Sequence, residues 1–446
     1  MRPAMLLRDA VHDLVRFEAE EEEIVPALLD TPEVQRLRRI RQLGVTHLVF
    51  PGAEHSRFTH AIGAAHVMSR LVRRLREIDH ELPFWQRIAS DRARDALAAA
   101  LLHDLGHGPY SHLFEEAIPG APRHESWSLA IVRDPGTRVH QVLAARDSSL
   151  PERVASLISG GEGAPYPLPY LAHAVSGTLD VDRCDYLLRD AHMTGVRYGL
   201  FDLDWLLRSI RFSTLDAANE APRLAIDGMK GLPAIEGFFL ARRFMFEQVY
   251  LHKATRAAEV LIKAIFARAA RALEDGTKLP FVPEAIRLAS RGAPVPLGAY
   301  LDLDDVTVSA AFAAWEGCGD PVLADLCRRL RSRRLGKTIA VHDAPDEHAA
   351  IAALVEQARE RTRAAGLDPD AHVHVDVAED GGALDDHDVE PLQVVFGDRQ
   401  RSPLLEVSPM LRALRGAPLR RVRVVVPAEI RDELATDPAP SASTSR

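Results

Sequence analysis

Cysteine is scarce in this chain of 446 residues, which carries only Cys184, Cys318 and Cys327. Their number and spacing fit neither a disulfide framework nor a paired-cysteine metal site, so a reducing compartment is expected. No apolar run reaches about 18 residues, and the N-terminal residues contain no apolar stretch long enough for a signal peptide. We therefore expect a soluble, cytoplasmic protein that does not enter a membrane.

An excess of positive charge is also missing. Lysine and arginine total 55 and aspartate and glutamate total 64, which gives a net charge of −9. A chain with this balance does not attract nucleic acid or an anionic membrane as a whole, so nucleic acid is not expected as its main ligand. Any anionic ligand must be met by positive side chains concentrated at one place.

Helical periodicity dominates the first three quarters of the sequence. Apolar residues recur at helical spacing in IVPALLDTPEVQRLRRIRQLG (24–44) and HSRFTHAIGAAHVMSRLVRRL (55–75). The stretch RARDALAAALLHDLG (92–106) is small and aliphatic on all sides, which is typical of a helix at the centre of a bundle. Residues 179–195 and 237–273 are helical too, so the sequence predicts an all-α bundle from about residue 5 to about residue 330.

The composition changes after about residue 336. Segments such as KTIAVHDA, HVHVDVAED and LRRVRVVVP are rich in β-branched residues, and helical stretches lie between them. We predict one helical domain over residues 1–335, with its core at about 24–275, and a small α/β domain over 336–434. The small, polar and proline-rich residues 435–446 are predicted to form a disordered tail.

Titratable residues are concentrated in LLHDLGHGPYSH (101–112), where the buried helix is predicted to end. His103 and Asp104 stand at this end, and Gly106 and Gly108 are expected to reverse the chain. Nitrogen and carboxylate ligands suit Mn, Fe, Zn, Ni or Mg, and an unpaired aspartate fits badly in a closed core. On its own, the pair is better explained by a capped helix end with a hydrogen-bonded histidine.

Two further helical stretches carry polar residues away from their apolar faces. His60 lies in mid-helix, and Arg57, three residues earlier, shares its face. One face of the stretch 179–190 combines carboxylates, a phenol and an arginine, at Asp182, Tyr186, Arg189 and Asp190. Such a mixture inside a compact helical domain predicts a polar cavity.

Six motifs follow one another along the chain: RLRRIRQLG, VFPGAEHSRFTHAIG, LLHDLGHGPYSH, the pair His124-Glu125, DVDRCDYLLRDAHMTG and QVYLHK. In this order, and nearly in this wording, they resemble the HD-domain deoxynucleoside triphosphate triphosphohydrolases (dNTPases), a family with animal and bacterial members. The resemblance covers about residues 5–275. It implies the helical HD-domain fold for that part of the chain.

The resemblance implies one divalent cation, of Mn, Fe, Mg, Zn or Ni, held by His60, His103, Asp104 and Asp182. A further Mg²⁺ ion is expected to accompany the nucleotide. A cation of this kind lowers the pKa of its bound water and neutralises charge on the phosphoryl group. In this family the attack falls on the α-phosphorus, so the implied substrates are dNTPs and the implied products are a deoxynucleoside and tripolyphosphate.

The resemblance also identifies the residue that donates a proton to the leaving 5′-oxygen. The family's general acid matches His124, and histidine suits this role because its ordinary pKa lies near neutrality. His107, His112 and Glu115 are similar to residues that line the phosphates and orient the acid. For His107 alone, packing against the glycine turn is an alternative.

A third set of residues matches the family's substrate contacts. Gln42 and Leu43 resemble the pair that contacts the 3′-hydroxyl and the sugar, and Tyr250 resembles the tyrosine that excludes a ribose 2′-hydroxyl. The remaining matches are expected at the sugar or the phosphates: Arg57, Arg183, Tyr186, Asp190, Arg242 and Lys253. Arginine stands at position 183 where the animal enzyme has lysine, and any single tyrosine or leucine here could equally belong to the core.

Regulation can be inferred only from the same resemblance. Asp30, Gln35 and Arg38 are similar to a guanine-nucleotide effector site of the animal enzyme, in which the nucleotide drives assembly. The resemblance thus implies a homo-oligomer, a dimer or a tetramer. Asp204 and Trp205 stand about where basic or aromatic effector contacts are expected, and the match to the family is loose there.

Two other functions stay open from the sequence. The same fold could act on another nucleotide or phosphate ester, although a pocket that reads the sugar is needless for a generic phosphatase. The chain could also be a nucleotide-sensing module with little turnover, with the C-terminal α/β domain as its output.

Overall fold

Helices make up most of the chain. The computed structural model describes residues 5–118, 122–160, 166–213, 221–341, 346–380, 392–397, 400–415 and 419–436. The first half contains α1 (Ile24–Leu29), α2 (Pro32–Arg36), α3 (Arg57–Ile78), α4 (Ser90–Leu102), α5 (His112–Ala117), α6 (His124–Arg133), α7 (Arg138–Arg146), α8 (Leu150–Ile158), α9 (Pro169–Val175), α10 (Val181–Thr194) and α11 (Leu203–Arg208). The second half contains α12 (Leu232–Met245), α13 (Lys253–Glu274), α14 (Glu284–Ala289), α15 (Leu297–Leu301), α16 (Asp305–Trp315), α17 (Pro321–Arg331), α18 (Glu347–Ala364), α19 (Pro369–His372), α20 (Leu404–Val407), α21 (Pro409–Arg415) and α22 (Arg431–Thr436).

The helix α4 lies at the centre of the helical body, packed against α3 and α8. Every residue from Ala96 to Leu102 is buried. The small alanines let the neighbouring helices approach, and burial of each leucine stabilises the fold by about 1.5–3 kcal/mol. The predicted buried helix is confirmed, and it ends at Leu102 with His103 as its C-terminal cap residue.

Nine strands form three small sheets within the described residues. The strands β1 (Met5–Asp9) and β2 (Asp13–Phe17) make an antiparallel hairpin. The second sheet has the order β3 (Ile210–Ser213), β4 (Arg223–Asp227), β7 (Gln393–Val395) and β8 (Arg401–Pro403), with β4 parallel to β7. The third sheet is antiparallel, in the order β5 (Lys337–Val341), β9 (Leu419–Val426) and β6 (His374–Asp380), and α18 packs against it.

The helical body and the mixed C-terminal region are confirmed, but the body also contains strands that the sequence did not predict. The turn between β1 and β2 has no glycine, proline or asparagine to mark it. Instead the Oδ1 atom of Asp9 accepts hydrogen bonds from the backbone N–H groups of Val11 and His12, each at 2.9 Å, and Asp13 adopts a φ of 56°. An aspartate can form this turn through its side chain, a signal that composition alone does not reveal.

The second sheet joins the helical body to the region beyond residue 336. Its strands β7 and β8 come from the predicted C-terminal domain, yet Ile226 of β4 pairs with Val394 of β7. The predicted boundary between the two domains at residues 335 and 336 stays a prediction. Of the predicted tail, residues 435 and 436 end α22 and residues 437–446 lie outside the described part of the chain.

A π-helical turn over Phe246–Tyr250 interrupts the long helix predicted over 237–273. The helix α12 ends at Met245 before this turn, and α13 begins at Lys253 after it. The imidazole of His252 caps α13 by accepting a hydrogen bond from the backbone of Ala254 at 3.3 Å. Single π-helical turns occur frequently at functional sites, and this one sets Tyr250 on the wall of a cavity.

Candidate active site

The four predicted metal ligands converge from three helices. His60 lies in α3, His103 and Asp104 follow α4, and Asp182 lies in the first turn of α10. The Nε2 atoms of His60 and His103 are 3.3 Å apart. The Oδ1 atom of Asp182 lies 3.0 Å from Nε2 of His60 and 3.4 Å from Nε2 of His103, and Oδ1 of Asp104 lies 3.5 Å from the latter.

The Nδ1 atom of each imidazole already has a hydrogen-bond partner outside this group of four side chains. Nδ1 of His60 donates to Oδ2 of Asp185 at 2.8 Å, and Nδ1 of His103 donates to the carbonyl oxygen of Ala100 at 2.9 Å. Both Nε2 atoms can therefore offer lone pairs to a cation that lies between them and the carboxylates of Asp104 and Asp182. His60, His103 and Asp104 offer ligand atoms close enough together to hold one metal ion. Asp182 adds a second carboxylate beside the two imidazoles, and this donor set suits a divalent cation of the predicted kind.

Electrostatics support the same conclusion. Burial opposes a charge on the two imidazoles, but the carboxylates outweigh it and raise the pKa of His60 to about 10 and that of His103 to about 9. Burial also opposes ionisation of Asp104, yet Arg57 and His103 hold its pKa well below the ordinary value. The carboxylates that hold protons on the two imidazoles could hold a divalent cation in place of those protons, and the cation would neutralise their negative charge.

A buried network behind His60 was not predicted from the sequence. The carboxylate of Asp185 accepts hydrogen bonds from Nδ1 of His60, from Nε2 of His12 at 2.7 Å and from the guanidinium of Arg189 at 2.8 Å. Arg189 also donates to Asp9 at 2.8 Å, which ties the hairpin β1–β2 to the site. The expectation that Arg189 faces the cavity is therefore corrected, because its guanidinium points to Asp185 and Asp9.

This network gives a first testable prediction. Asp185→Asn should weaken divalent-cation binding by about 10- to 100-fold although all four ligands remain, because His60 loses the acceptor that orients it. Competition with a chromogenic chelator measures this affinity. The matched control is Asp95→Asn, since Asp95 is an equally buried carboxylate that pairs with Arg153 at 2.7 Å. An equal loss of metal affinity in both variants would mean that Asp185 acts only through stability.

The predicted general acid lies beside the metal-ligand set. Nδ1 of His124, at the start of α6, donates to Oε1 of Glu115 at 3.0 Å. The ring of His107 stacks on that of His124, with centroids 3.7 Å apart and planes 15° apart. Burial and the charge of Arg57 lower the pKa of His107 well below its ordinary value, so this ring is neutral.

Close packing at Gly106 brings α6 to this position. A Cβ atom there would lie 2.1 Å from the carbonyl oxygen of His124 and 2.2 Å from the backbone nitrogen of Ser128. Gly106 is therefore required because α6 packs directly against it. The positive φ angles at the predicted chain reversal are found instead at Tyr110 (56°) and Ser111 (60°). That part of the prediction is corrected.

A cavity of about 530 Å³ connects these groups with the predicted sugar contacts. On its wall, the hydroxyl of Tyr250 donates to Oδ2 of Asp190 at 2.7 Å, and Nε2 of His55 donates to Oδ1 of the same carboxylate at 2.7 Å. His55 was not predicted. Eleven of the predicted residues line the cavity: Gln42, Leu43, Arg57, Asp104, His107, His112, His124, Asp182, Tyr186, Asp190 and Tyr250.

Two comparisons decide the family of the chain. The HD-domain family matches residues 57–187, the range that contains all four predicted metal ligands. The protein YwfO of Bacillus subtilis is 35% identical over 378 residues, which cover 84% of this chain and 80% of that protein. The chain belongs to the HD-domain family.

Two further proteins that this chain resembles have a named activity. A phosphohydrolase from Bacteroides thetaiotaomicron, known from its crystal structure, has a TM-score of 0.78 at 26% identity and covers 95% of this chain and 99% of that chain. At the level of class, the chain is an HD-domain phosphohydrolase. The deoxynucleoside triphosphate triphosphohydrolase SAMHD1 of Gallus gallus is 31% identical in an alignment of 287 residues that covers 58% of this chain and 45% of the chicken protein.

Three predicted phosphate contacts of this HD-domain protein lie outside the cavity lining of the described residues. Arg183 contacts the carbonyl oxygen of Gly177 and lies 3.3 Å from Oδ2 of Asp180, the residue that caps α10. Arg242 is buried in α12, with its guanidinium 5.3 Å from the centroid of the Phe246 ring. Lys253 is exposed in the first turn of α13. Their roles at the phosphates stay predictions.

The predicted effector residues form a separate surface of the HD-domain body. Asp30 and Arg38 are exposed, and Gln35 is half-buried. Nε of Arg38 donates to Oε1 of Gln35 at 2.8 Å, and the Arg38 guanidinium lies 3.6 Å from the centroid of the Phe58 ring. Among the described residues, none of the three lines the cavity. Effector binding also stays a prediction.

Several cavity residues were missed because no motif marks them. Arg256 and Glu259 of α13 and Glu116 of α5 line the cavity beside His112. Arg256 donates to Asp376 of β6 at 3.0 Å and contacts Glu259 at 2.7 Å, so the C-terminal sheet supports this wall. Helical spacing makes such charged residues look like an ordinary solvated face.

Among the described residues, no helix combines the length and the apolar composition that crossing a membrane requires.

Proposed function

We propose that this HD-domain protein hydrolyses deoxynucleoside triphosphates and releases the deoxynucleoside and tripolyphosphate. One observation carries the proposal. Asp104 and Asp182 of the metal-ligand set line a single cavity together with His124, which pairs with Glu115, and with the Tyr250–Asp190 pair. This combination supports a substrate with a phosphate chain at one end and a sugar next to it, rather than a simple phosphate ester.

Binding the phosphate chain requires positive charge in an acidic protein. A divalent cation on His60, His103, Asp104 and Asp182 would supply a Lewis acid and an activated water for attack on the α-phosphorus. Arg57 lines the cavity and contacts Asp104, so its guanidinium adds a permanent positive charge beside the phosphates. Arg183, Arg242 and Lys253 are proposed as further phosphate contacts.

His124 is proposed to donate the proton that the leaving 5′-oxygen needs. Glu115 accepts the Nδ1 hydrogen of His124, which leaves Nε2 as the donor and stabilises the charged ring before transfer. Burial opposes ionisation of Glu115, but its hydrogen bond with His124 outweighs this and lowers the pKa of the carboxyl. His107 is neutral and stacked on His124, so it holds the acid's ring in place without competing for the proton.

Tyr250 is proposed to exclude ribonucleotides, because its ring would occupy the space beside the sugar while Asp190, itself held by His55, accepts a hydrogen bond from its hydroxyl group. Tyr250→Ala should therefore improve hydrolysis of NTPs relative to dNTPs by about tenfold or more, measured as the ratio of kcat/KM values. Tyr250→Phe is the control, since it keeps the ring and should retain most of the discrimination. An unchanged ratio in Tyr250→Ala would remove the tyrosine from this role.

The proposal is tested by incubating the purified chain with each dNTP and each NTP, with Mn²⁺ or Mg²⁺, with and without GTP, and identifying the products. Release of tripolyphosphate from dNTPs supports it. Turnover of other phosphate esters alone would favour the broader phosphohydrolase function. Tight nucleotide binding without cleavage at saturating metal would favour a sensing module. The same assay, combined with sedimentation, tests the predicted effector and the predicted dimer or tetramer.

A further inference from the structure

A second cluster of metal-binding groups lies next to the first. His107, His112, Glu115 and His124 each offer one ligand atom, and these four atoms lie within 4.8 Å of one another. Nδ1 of His124 is 3.0 Å from Oε1 of Glu115, and Nδ1 of His107 is 3.9 Å from the same oxygen. The ring of His112 packs edge-on against the other two imidazoles, at centroid distances of 4.8 and 5.0 Å.

One buried atom of this cluster has no hydrogen-bond partner in the described part of the chain, which indicates that the cluster binds a ligand. Nδ1 of His107 is buried and has no hydrogen-bond partner among the described residues. Nε2 of the same ring lies 3.3 Å from Oδ1 of Asp104, which can only accept, so the ring's hydrogen belongs on Nε2. Nδ1 then presents a lone pair toward the carboxylate of Glu115. No hydrogen lies between Nδ1 of His107 and this carboxylate oxygen, whose only donor within the described ranges is His124, so a cation between the two atoms would stabilise both.

We propose that His107, His112, Glu115 and His124 form a second, inhibitory cation site. Three imidazole nitrogens and one carboxylate oxygen are a donor set that Zn²⁺ accepts in tetrahedral geometry. The site shares no ligand with the His60, His103, Asp104 and Asp182 set. Because the ring of His107 stands between the two sets, this is a separate site and not the second ion of a two-metal catalytic centre.

The inhibitory effect rests on the proposed function of His124. Binding of Zn²⁺ at Nδ1 of His124 requires that the proton on this atom leaves to solvent and that Glu115 exchanges its hydrogen bond for a bond to the metal. The ring then keeps one hydrogen, on Nε2, and a neutral zinc-bound imidazole is a weaker acid than an imidazolium. The leaving 5′-oxygen consequently lacks its proton donor, and turnover falls while the first metal site remains filled.

The test is a Zn²⁺ titration of the full chain by equilibrium dialysis with metal analysis. We expect two ions per chain in the wild type. His107→Ala and Glu115→Gln should each keep one ion and weaken the second by more than about tenfold, whereas Asp182→Asn should weaken the first and keep the second. His112→Ala, at an exposed position, repeats the test if a buried variant does not fold, and the exposed His80→Ala is the control for adventitious surface binding.

The possible outcomes test the second cation site and the proposed activity independently of each other. A single ion in the wild type, or a second ion that persists in His107→Ala, Glu115→Gln and His112→Ala, overturns the site, whatever the turnover. In protein that hydrolyses dNTPs with Mn²⁺, a second Zn²⁺ ion that binds without reducing turnover overturns the inhibitory role. If no nucleotide is hydrolysed, the proposed function fails, and the count of bound ions still decides the second site.

Discussion

Asp182→Asn is expected to abolish turnover and to release the cation. An asparagine keeps the shape of the side chain but removes the charge that lies 3.0 and 3.4 Å from the two imidazole nitrogens. Loss of the Lewis acid should lower kcat by at least about 10³-fold, since metal catalysis supplies several kcal/mol of transition-state stabilisation. Metal analysis and a product assay on the same sample measure both effects.

The control for this variant is Asp302→Asn, an exposed carboxylate outside the cavity lining of the described residues. It should retain both the metal and the turnover. If Asp182→Asn kept its metal and its activity while folding normally, Asp182 would not be a ligand and the proposed site would be wrong.

His124→Ala is expected to lower kcat for dNTPs by about 10²–10⁴-fold and to leave the first metal site intact. The reason is that the 5′-oxygen of a deoxynucleoside is a poor leaving group without a proton, whereas His124 contributes no ligand to the first site. Glu115→Gln should give a smaller loss of kcat, because His124 stays in place but loses the carboxylate that stabilises its charge.

A substrate whose leaving group needs no proton distinguishes acid catalysis from a structural role. A nitrophenyl phosphoester of similar shape releases a stable phenolate, so His124→Ala should hydrolyse it nearly as fast as the wild type does. An equally large defect with this substrate would show that His124 acts through binding or positioning. Asp182→Asn should fail with both substrates.

The four proposed metal ligands could be selected from the sequence because each has a local signal. The end of an apolar helix at Leu102 marks His103 and Asp104, and helical spacing sets His60 and Asp182 on polar faces. Neither signal is decisive alone, and the order and wording of the six surrounding motifs link them through the resemblance. The structure brings the four side chains to one point, although their roles stay proposals.

The groups that support these ligands could not be predicted, because their contacts join distant parts of the chain. His12 is 173 residues away from Asp185 in sequence, yet the two side chains are 2.7 Å apart. The hairpin that carries His12 depends on a side-chain turn at Asp9 rather than on a glycine. Asp185 itself looked like one more polar residue of α10, and its burial follows from packing against α3 at Gly63, where a Cβ atom would lie 1.9 Å from its carboxylate.

The basic residues illustrate a different limit. A resemblance assigns Arg183 to the phosphates by position, but the direction of a long side chain depends on its partners. Here Asp180 caps α10 and lies beside the Arg183 guanidinium. Sequence position therefore identifies which charges are near a site more reliably than which of them point into it.

The most direct test of the central claim follows the oxygen atom that is added in hydrolysis. The chain is incubated with a dNTP and its metal in water enriched in the heavy isotope of oxygen, and the masses of both products are measured by mass spectrometry. Attack on the α-phosphorus predicts one heavy oxygen in tripolyphosphate and none in the deoxynucleoside. Label in orthophosphate or pyrophosphate, with a deoxynucleoside mono- or diphosphate as the other product, would contradict the account.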